Sequence, residues 1–360
     1  MSRPRADSHY HHRVNDIEIA VIGAGVAGAA TAHHLAKSGH EVVVFEQFEV
    51  GHARGSSGGT SRVFRFSYED PAYVAMAMEA LTMWRALETE ALETIIVTTG
   101  GLDVGRDIGG HVRALRENGA EFTVLDGREV AARWPGVALG GDTGILFQPD
   151  AGITLADRAL AALSASATAA GCDLKENTKI HELAVDGSAV VVSTNGQTYR
   201  ARTAVVAAGP WAQGLLKQVD IDLSVEVTRE TVAHFRLDDE YSVPVLVEWT
   251  DPPIYALASP GVGIKVGVHH SGPAADPDEL GEVDTALVER MAEWVARRYS
   301  DVDPEPVLAE TCLYTNTDDE QFILERHGPI VVGSACSGHG FKFGPVTGKR
   351  LAHLALASQM

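Results

Sequence analysis

Basic side chains are scarce in this chain: 29 Lys and Arg stand against 49 Asp and Glu, a formal net charge of −20. So acidic a protein repels phosphate backbones and anionic lipid headgroups, which argues against nucleic acid and membrane as partners. An anionic small substrate would need arginine or lysine placed locally. Cysteine is rarer still, with only Cys172, Cys312 and Cys336 in 360 residues. Three thiols make no disulfide framework, so a reducing compartment, the cytoplasm, is expected. No apolar run is long enough to span a bilayer. Residues 1–16 are polar, lack the apolar segment of a secretory signal and read as a disordered tail. The tail's His9, His11 and His12 have no rigid geometry for a metal, and no metal-ligand spacing links the other histidines and cysteines.

Glycine, by contrast, is plentiful at 36 residues, and 45% of the chain is hydrophobic. That supports a sizeable core in two domains or one large interleaved one. Two glycine-rich stretches carry chemistry. In the first, the β-type run Ile17–Ile22 leads into Gly23-Ala24-Gly25-Val26-Ala27-Gly28. A small-residue helix pattern follows to Lys37, and Glu41–Phe45 is a second strand closed by Glu46. This βαβ start has the spacing of a dinucleotide fingerprint. Gly23 makes the turn, Gly25 admits a pyrophosphate, and Gly28 lets helix and strand pack closely. The helix N-terminus at Val26 and Ala27 offers unpaired N–H groups to phosphate, and Glu46 stands where an acid would hold ribose hydroxyls.

The second stretch is Ser337-Gly338-His339-Gly340-Phe341-Lys342-Phe343. Gly338 and Gly340 allow backbone close to a ligand. A lysine between two phenylalanines either loses its charge or finds an anion. On this run alone, a snorkelling surface lysine is an equal reading.

Between these ends lie Gly51–Tyr68, a Gly- and Ser-rich loop carrying Arg54, Arg62 and Arg65, and helical patterns at Tyr73–Glu93, Leu155–Ala170 and Thr285–Tyr299. Strands are expected at Ala120–Leu125, Gly141–Phe147, Ile180–Val185, Ala189–Ser193, Thr203–Ala208 and Ile330–Gly333, with Asn195-Gly196 as a hairpin turn. The fold expected is α/β: a Rossmann-like cofactor domain interleaved with a domain on a mostly antiparallel sheet. The cofactor domain would take residues 17–75, 145–225 and 305–360, and the substrate domain 76–144 and 226–304.

Further motifs are Thr60-Ser61-Arg62-Val63-Phe64-Arg65, Ala208-Gly209-Pro210-Trp211, Ile264-Lys265-Val266-Gly267 and Cys312-Leu313-Tyr314-Thr315. With them, the chain resembles the monomeric sarcosine oxidase and N-methyltryptophan oxidase family over about residues 17–358. The resemblance implies FAD, held through Gly23, Gly25, Val26, Ala27, Gly28, Glu46, Ser61, Arg62, Ala208, Gly209, Trp211, Gly338, His339, Gly340 and Lys342. It implies a thioether from Cys312 to the flavin, favoured by nearby cations. Cys336 is the rival thiol and reads as a packing residue.

The implied reaction moves a hydride from the carbon beside an amine to the flavin, leaving an imine. O2 then takes the electrons and gives hydrogen peroxide. Arg65 and Lys342 match carboxylate ligands, Tyr314 and Tyr255 pocket aromatics, His269 an active-site histidine, Lys265 the oxygen-activating cation and Arg62 the charge beside the flavin ring. Alternation in Ile264–His269 puts Lys265 and His269 on one face, with His270 pointing away. The family places a second, pocket-facing tyrosine at Ala256, so a substrate larger than sarcosine is expected: a secondary or cyclic amine or amino acid. Ser57-Gly58 departs from two histidines frequent in the family. A monomer is implied. Rival readings are a flavin dehydrogenase with another acceptor and a non-catalytic flavin-binding subunit; a NAD enzyme leaves the Cys312 and Ser337–Phe343 motifs unexplained.

Overall fold

The computed structural model describes residues 14–140, 143–334 and 336–357. Most of the expected tail lies outside these residues, but Val14–Asp16 begin a strand rather than ending a tail. Three sheets are built from the alternating strands and helices. In the first, of eight strands, Val14–Ile22 runs parallel between Thr198–Val206 and Val42–Phe45, and Asp173–Lys175 extends the parallel array. Val42–Phe45 is buried at every position, as expected for a parallel strand covered on both faces. Thr198–Val206 shares one edge between two partners. Its first half pairs antiparallel with Ala189–Thr194, across the expected Asn195-Gly196 turn, and its second half pairs parallel with Ile330–Ser334. The helices Val26–Lys37, Ala156–Ala169 and Gly344–Leu356 pack together, using small residues such as Ala29, Ala30 and Ala159 where side chains must stay short.

The second sheet has eight strands in the order Pro306–Asn316, Glu226–Arg236, Gly263–Val268, Ile254–Ser259, Val245–Glu248, Gly101–Gly105, Gly144–Gln148, Thr123–Leu125. Every pairing is antiparallel except Val245–Glu248 on Gly101–Gly105. Helix Thr285–Arg298 covers one face, burying Met291, Trp294 and Val295 against Ile264, Val266 and Val268. The other face carries Val245, Val247 and Leu257, which pack with Ile153 and Leu155. A small sheet of Ser61–Phe64, Gly152–Leu155 and Ile96–Thr98 lies near the junction.

The domain limits expected from sequence cut across some of these elements. Helix Pro71–Ala91 packs as a whole, through Val74, Ala77, Ala80 and Trp84, on the helices beside the first sheet. Residues 145–148 and strand 306–316, placed by sequence in the cofactor domain, pair in the second sheet. The strand expected at Ala120–Leu125 shortens to Thr123–Leu125. No helix among the described residues is long and apolar enough to cross a membrane.

Candidate active site

A cavity of about 480 Å³ runs from the Gly23 turn to Arg65 and Lys342. At the first end, backbone does the work. Gly23 has φ +100°, and a Cβ there would press on the Ala207 carbonyl; a Cβ on Gly28 would overlap the Gly23 carbonyl. The helix N-terminus can therefore sit directly on the turn only if both are glycine. Gly25 is its N-cap and has no side-chain cap, while the Val26 N–H donates to Ser57 Oγ at 3.1 Å. Gly25, Val26 and Ala27 line the cavity; Gly28 packs behind it.

Glu46 closes the second strand and is 4% exposed. Its carboxylate accepts the N–H groups of Ala24 (2.8 Å) and Phe48 (3.0 Å). Burial raises its pKa, but His52 and these N–H groups outweigh burial and hold it below the usual range. Ala208, Gly209 and Trp211 border the same end, where Trp211 Nε1 donates to Asp278 at 2.8 Å. These features fit a dinucleotide: a cradle that any Cβ would fill, a helix N-terminus and an ionised acid beyond it.

The middle of the cavity carries Lys265, 5% exposed on strand 263–268. Its Nζ donates to the Ser61 carbonyl at 2.7 Å, and Arg62 Nη1 donates to that same oxygen at 2.8 Å. Two cations thus share one acceptor. Burial, then Arg62, pulls the Lys265 pKa down to about 7, with Glu310 and Cys312 pulling the other way. Arg62 is further fixed by the Ser56 carbonyl (2.9 Å) and the Gly58 carbonyl.

Cys312 lies on strand 306–316, paired with Glu230, and borders the cavity. Arg62 and Lys265 lower its pKa as expected, but burial is larger and pushes the thiol up to about 11. Cys336 also borders the cavity, so position does not reduce it to a packing residue.

Tyr255, on the strand beside Lys265's, and Tyr314, on strand 306–316, meet through their hydroxyls. Burial raises both hydroxyl pKa values above the ordinary range. Gly267 is the cross-strand partner of Tyr255, and a Cβ there would overlap its hydroxyl. Gly338, at φ +72°, likewise gives room to Tyr314 and His269. Gly340 and His339 complete the turn on the cavity wall.

At the far end the Arg65 guanidinium lies between the rings of Tyr68 and Trp249, 4.5 and 5.1 Å from their centroids. Its Nη1 is 3.8 Å from Asp103, which is 2% exposed and accepts from Gln148 Nε2 and Trp249 Nε1, each at 3.1 Å. Lys342 is 4% exposed, and its Nζ donates to Tyr68 Oη and the His339 carbonyl, each at 2.9 Å. Burial, then Arg65, moves it well below the ordinary lysine range. Snorkelling is thereby excluded. A carboxylate arriving here would meet two desolvated cations and a hydroxyl.

His269 reaches the cavity beside Tyr314 and is neutral: burial, then His270, lowers its pKa to about 2. His339 is neutral as well, lowered to about 3 by burial and Lys342.

Two expectations need correction. Ala256 does not face the cavity; it is 1% exposed in the core with Ile254 and Val266, on the side covered by helix Thr285–Arg298. Tyr255 and Leu257 face the cavity instead. A missing ring at Ala256 therefore frees no substrate space. His270 does not point away either. The strand ends at Val268, His270 takes φ +51°, and its ring lies against His269 with centroids 4.1 Å apart.

Tyr68, Trp249 and Asp103 were not anticipated. Asp103 alone left a signal, as one acid inside the wholly buried strand Gly101–Gly105.

Residues 18–354 match the family described as FAD dependent oxidoreductase. The peroxisomal sarcosine oxidase of Homo sapiens is 35% identical over 93% of this chain and 91% of its own length. The monomeric sarcosine oxidase of Bacillus sp. (strain B-0618) is 28% identical over 95% of this chain and 93% of its own. Among solved structures, the open form of NikD, an unusual amino acid oxidase essential for nikkomycin biosynthesis, superposes with a TM-score of 0.86. It is 28% identical, and the match covers 96% of this chain and 95% of NikD. Matched from end to end of its described core, the chain belongs to the FAD dependent oxidoreductase family, among its amine oxidases.

Proposed function

We propose that the protein oxidises the C–N bond of a secondary or cyclic amino acid, using FAD and passing the electrons to O2. The observation that carries the amino-acid reading is the pair of buried cations, Arg65 and Lys342, converging beside Tyr68. A plain amine would leave Lys342 without an anion and Arg65 with only Asp103, 3.8 Å away. When bound, FAD supplies the hydride acceptor. Gly23 to Ala27, Glu46, Ser61, Ala208, Gly209 and Trp211 would hold it, with Gly338 to Gly340 closing over its other end.

The protein's own part is binding and charge placement. Arg65 and Lys342 grip the carboxylate, and Tyr68 keeps Lys342 from retreating. Tyr255, Tyr314 and neutral His269 enclose the amine without adding charge. Lys265 provides a positive charge where oxygen acquires electrons, and Arg62 one where the reduced cofactor becomes anionic. Cys312 is the proposed attachment thiol. Its raised pKa means that it must lose its proton for attachment, with Arg62 and Lys265 steadying the thiolate. The first sheet with its helices serves as the cofactor unit and the second sheet as the substrate unit. The enzyme acts as a monomer in a reducing compartment such as the cytoplasm, in keeping with three free thiols.

The test begins with acid precipitation and peptide mass mapping. Flavin retained on the Cys312 peptide supports attachment there; flavin on the Cys336 peptide moves it, and flavin released to the supernatant removes it. Anaerobic mixing with N-methylated and cyclic amino acids should then bleach the flavin, and air should restore it with one peroxide per turnover. Bleaching without reoxidation by air would favour a dehydrogenase; no bleaching by any amino acid or amine would remove the catalytic reading.

A further inference from the structure

Three non-glycine residues with left-handed backbone meet beside the cavity-lining His269, Gly338 and His339: His270 (φ +51°), Glu320 (φ +57°) and Ser337 (φ +39°). Such conformations persist only where surrounding contacts impose them, and they gather at functional sites. Here the contacts are visible. His270 Nε2 lies 3.3 Å from the Ser337 carbonyl, the Ser337 N–H donates to the Thr315 carbonyl at 3.0 Å, and the Glu320 carbonyl lies 3.1 Å from His339 Nε2. The strand end at Val268, the turn after Asn316 and the glycine turn are thus tied at one point.

The ties bring ligand atoms of His269, His270 and Glu320 within 4.8 Å of one another. Two imidazoles and a carboxylate are the donor set of a borderline divalent transition ion, not of magnesium or calcium. Around zinc, with bonds of ~2.1 Å, tetrahedral donors stand about 3.4 Å apart. On that basis the present set need contract by at most about 1.4 Å, and the exposed Glu320 side chain can supply movement. Arg65 and Lys342 oppose a further cation nearby. The run Asp318-Asp319-Glu320 opposes them in turn with three acids at the rim. His269 is also a cavity wall residue in ring contact with Tyr314.

We propose that His269, His270 and Glu320 form a rim site for a divalent transition-metal ion such as zinc, and that occupation closes the substrate cavity. The ion would draw the 317–321 turn onto the end of strand 263–268 and immobilise His269 at the entrance. It takes no part in the redox reaction. Sequence spacing conceals such a site, because Glu320 is supplied by a turn remote from the His-His pair.

The test uses full-length, flavin-loaded protein in which His9, His11 and His12 are all alanine, so that the tail cannot bind ion. Zinc chloride is titrated by calorimetry into this parent and into His270→Asn, Glu320→Gln and the double variant. Asparagine tolerates left-handed backbone better than most residues. One zinc per chain is expected in the parent, with affinity about tenfold weaker in each single variant and lost in the double. Zinc should also slow substrate turnover of the parent, chelator should restore it, and the double variant should resist. No zinc bound to the parent overturns the site. Undiminished binding in the double variant also overturns it and places the ion elsewhere on the chain. Binding without any effect on turnover overturns the closure. The calorimetric arm stands even if the proposed substrate class is wrong.

Discussion

The two ends of the cavity are built on opposite principles. At the Gly23 end the chain removes side chains: no Cβ at 23 or 28, a bare helix N-terminus and one acid held by N–H donors. At the Lys342 end it does the reverse, burying Arg65 and Lys342 among Tyr68, Trp249 and Asp103. The first end depends on geometry that one local segment can encode. The second depends on charges whose desolvation is offset only by residues from distant elements. Damage should therefore be all-or-none at one end and graded at the other.

The largest effect is expected from Gly28→Val. Its side chain would collide with the Gly23 carbonyl, so flavin content measured by absorbance should fall to near zero while circular dichroism shows a folded chain. Substantial flavin retention would refute the backbone account. Lys265→Met should slow reoxidation about 10²–10³-fold in stopped-flow mixing with oxygen, and flavin reduction far less. Equal slowing of both would deny the oxygen role. Lys342→Met should weaken a carboxylate ligand by roughly 30- to 160-fold, from the ~2–3 kcal/mol of a charge-assisted hydrogen bond. Spectral titration of the flavin checks this, and unchanged affinity would remove Lys342 from the site.

A pH series sharpens the contrast. Lys265 has its pKa lowered to about 7, so it is charged below that pH and neutral above. The reoxidation rate should fall by up to about tenfold per unit as pH rises through 7, and this fall should vanish in Lys265→Met. The smallest effect is expected from Asp103→Asn. Loss of the acid 3.8 Å from Arg65 should tighten carboxylate binding a few-fold, since a buried carboxylate no longer competes for the guanidinium. Weaker binding would mean that Asp103 orients Arg65 instead of competing for it.

The same contrast decides what could be read from sequence. The βαβ unit was legible nearly to the residue, because a strand, a glycine turn, a helix and an acid follow one another within Val14–Glu46. Lys265 and His269 were legible as neighbours through strand alternation. The same alternation, applied to Tyr255, would have turned Ala256 to the opposite face; matching by family position overrode it. Lys342 was half legible from the two phenylalanines beside it, but its pairing with Arg65 was legible only through resemblance, since nothing near either names the other. Tyr68 and Trp249 were not legible, because each acts on a partner supplied by another part of the chain. The division into domains failed at helix Pro71–Ala91 for a related reason: its packing partners are set by tertiary contacts, not by the pattern of the helix itself.

Helix Gly344–Leu356 packs along helix Val26–Lys37, and the turn before it supplies Lys342. The two ends of the described chain therefore meet at the cofactor cradle. During synthesis, a ribosome that has released residues up to 330 has exposed the Gly23 turn but none of the wall formed by Cys336 to Lys342. Such a chain has no enclosed pocket in which to retain a flavin, and long-range contacts of this kind form late. The cavity is thus walled on all sides only once the last described helix has docked on the first.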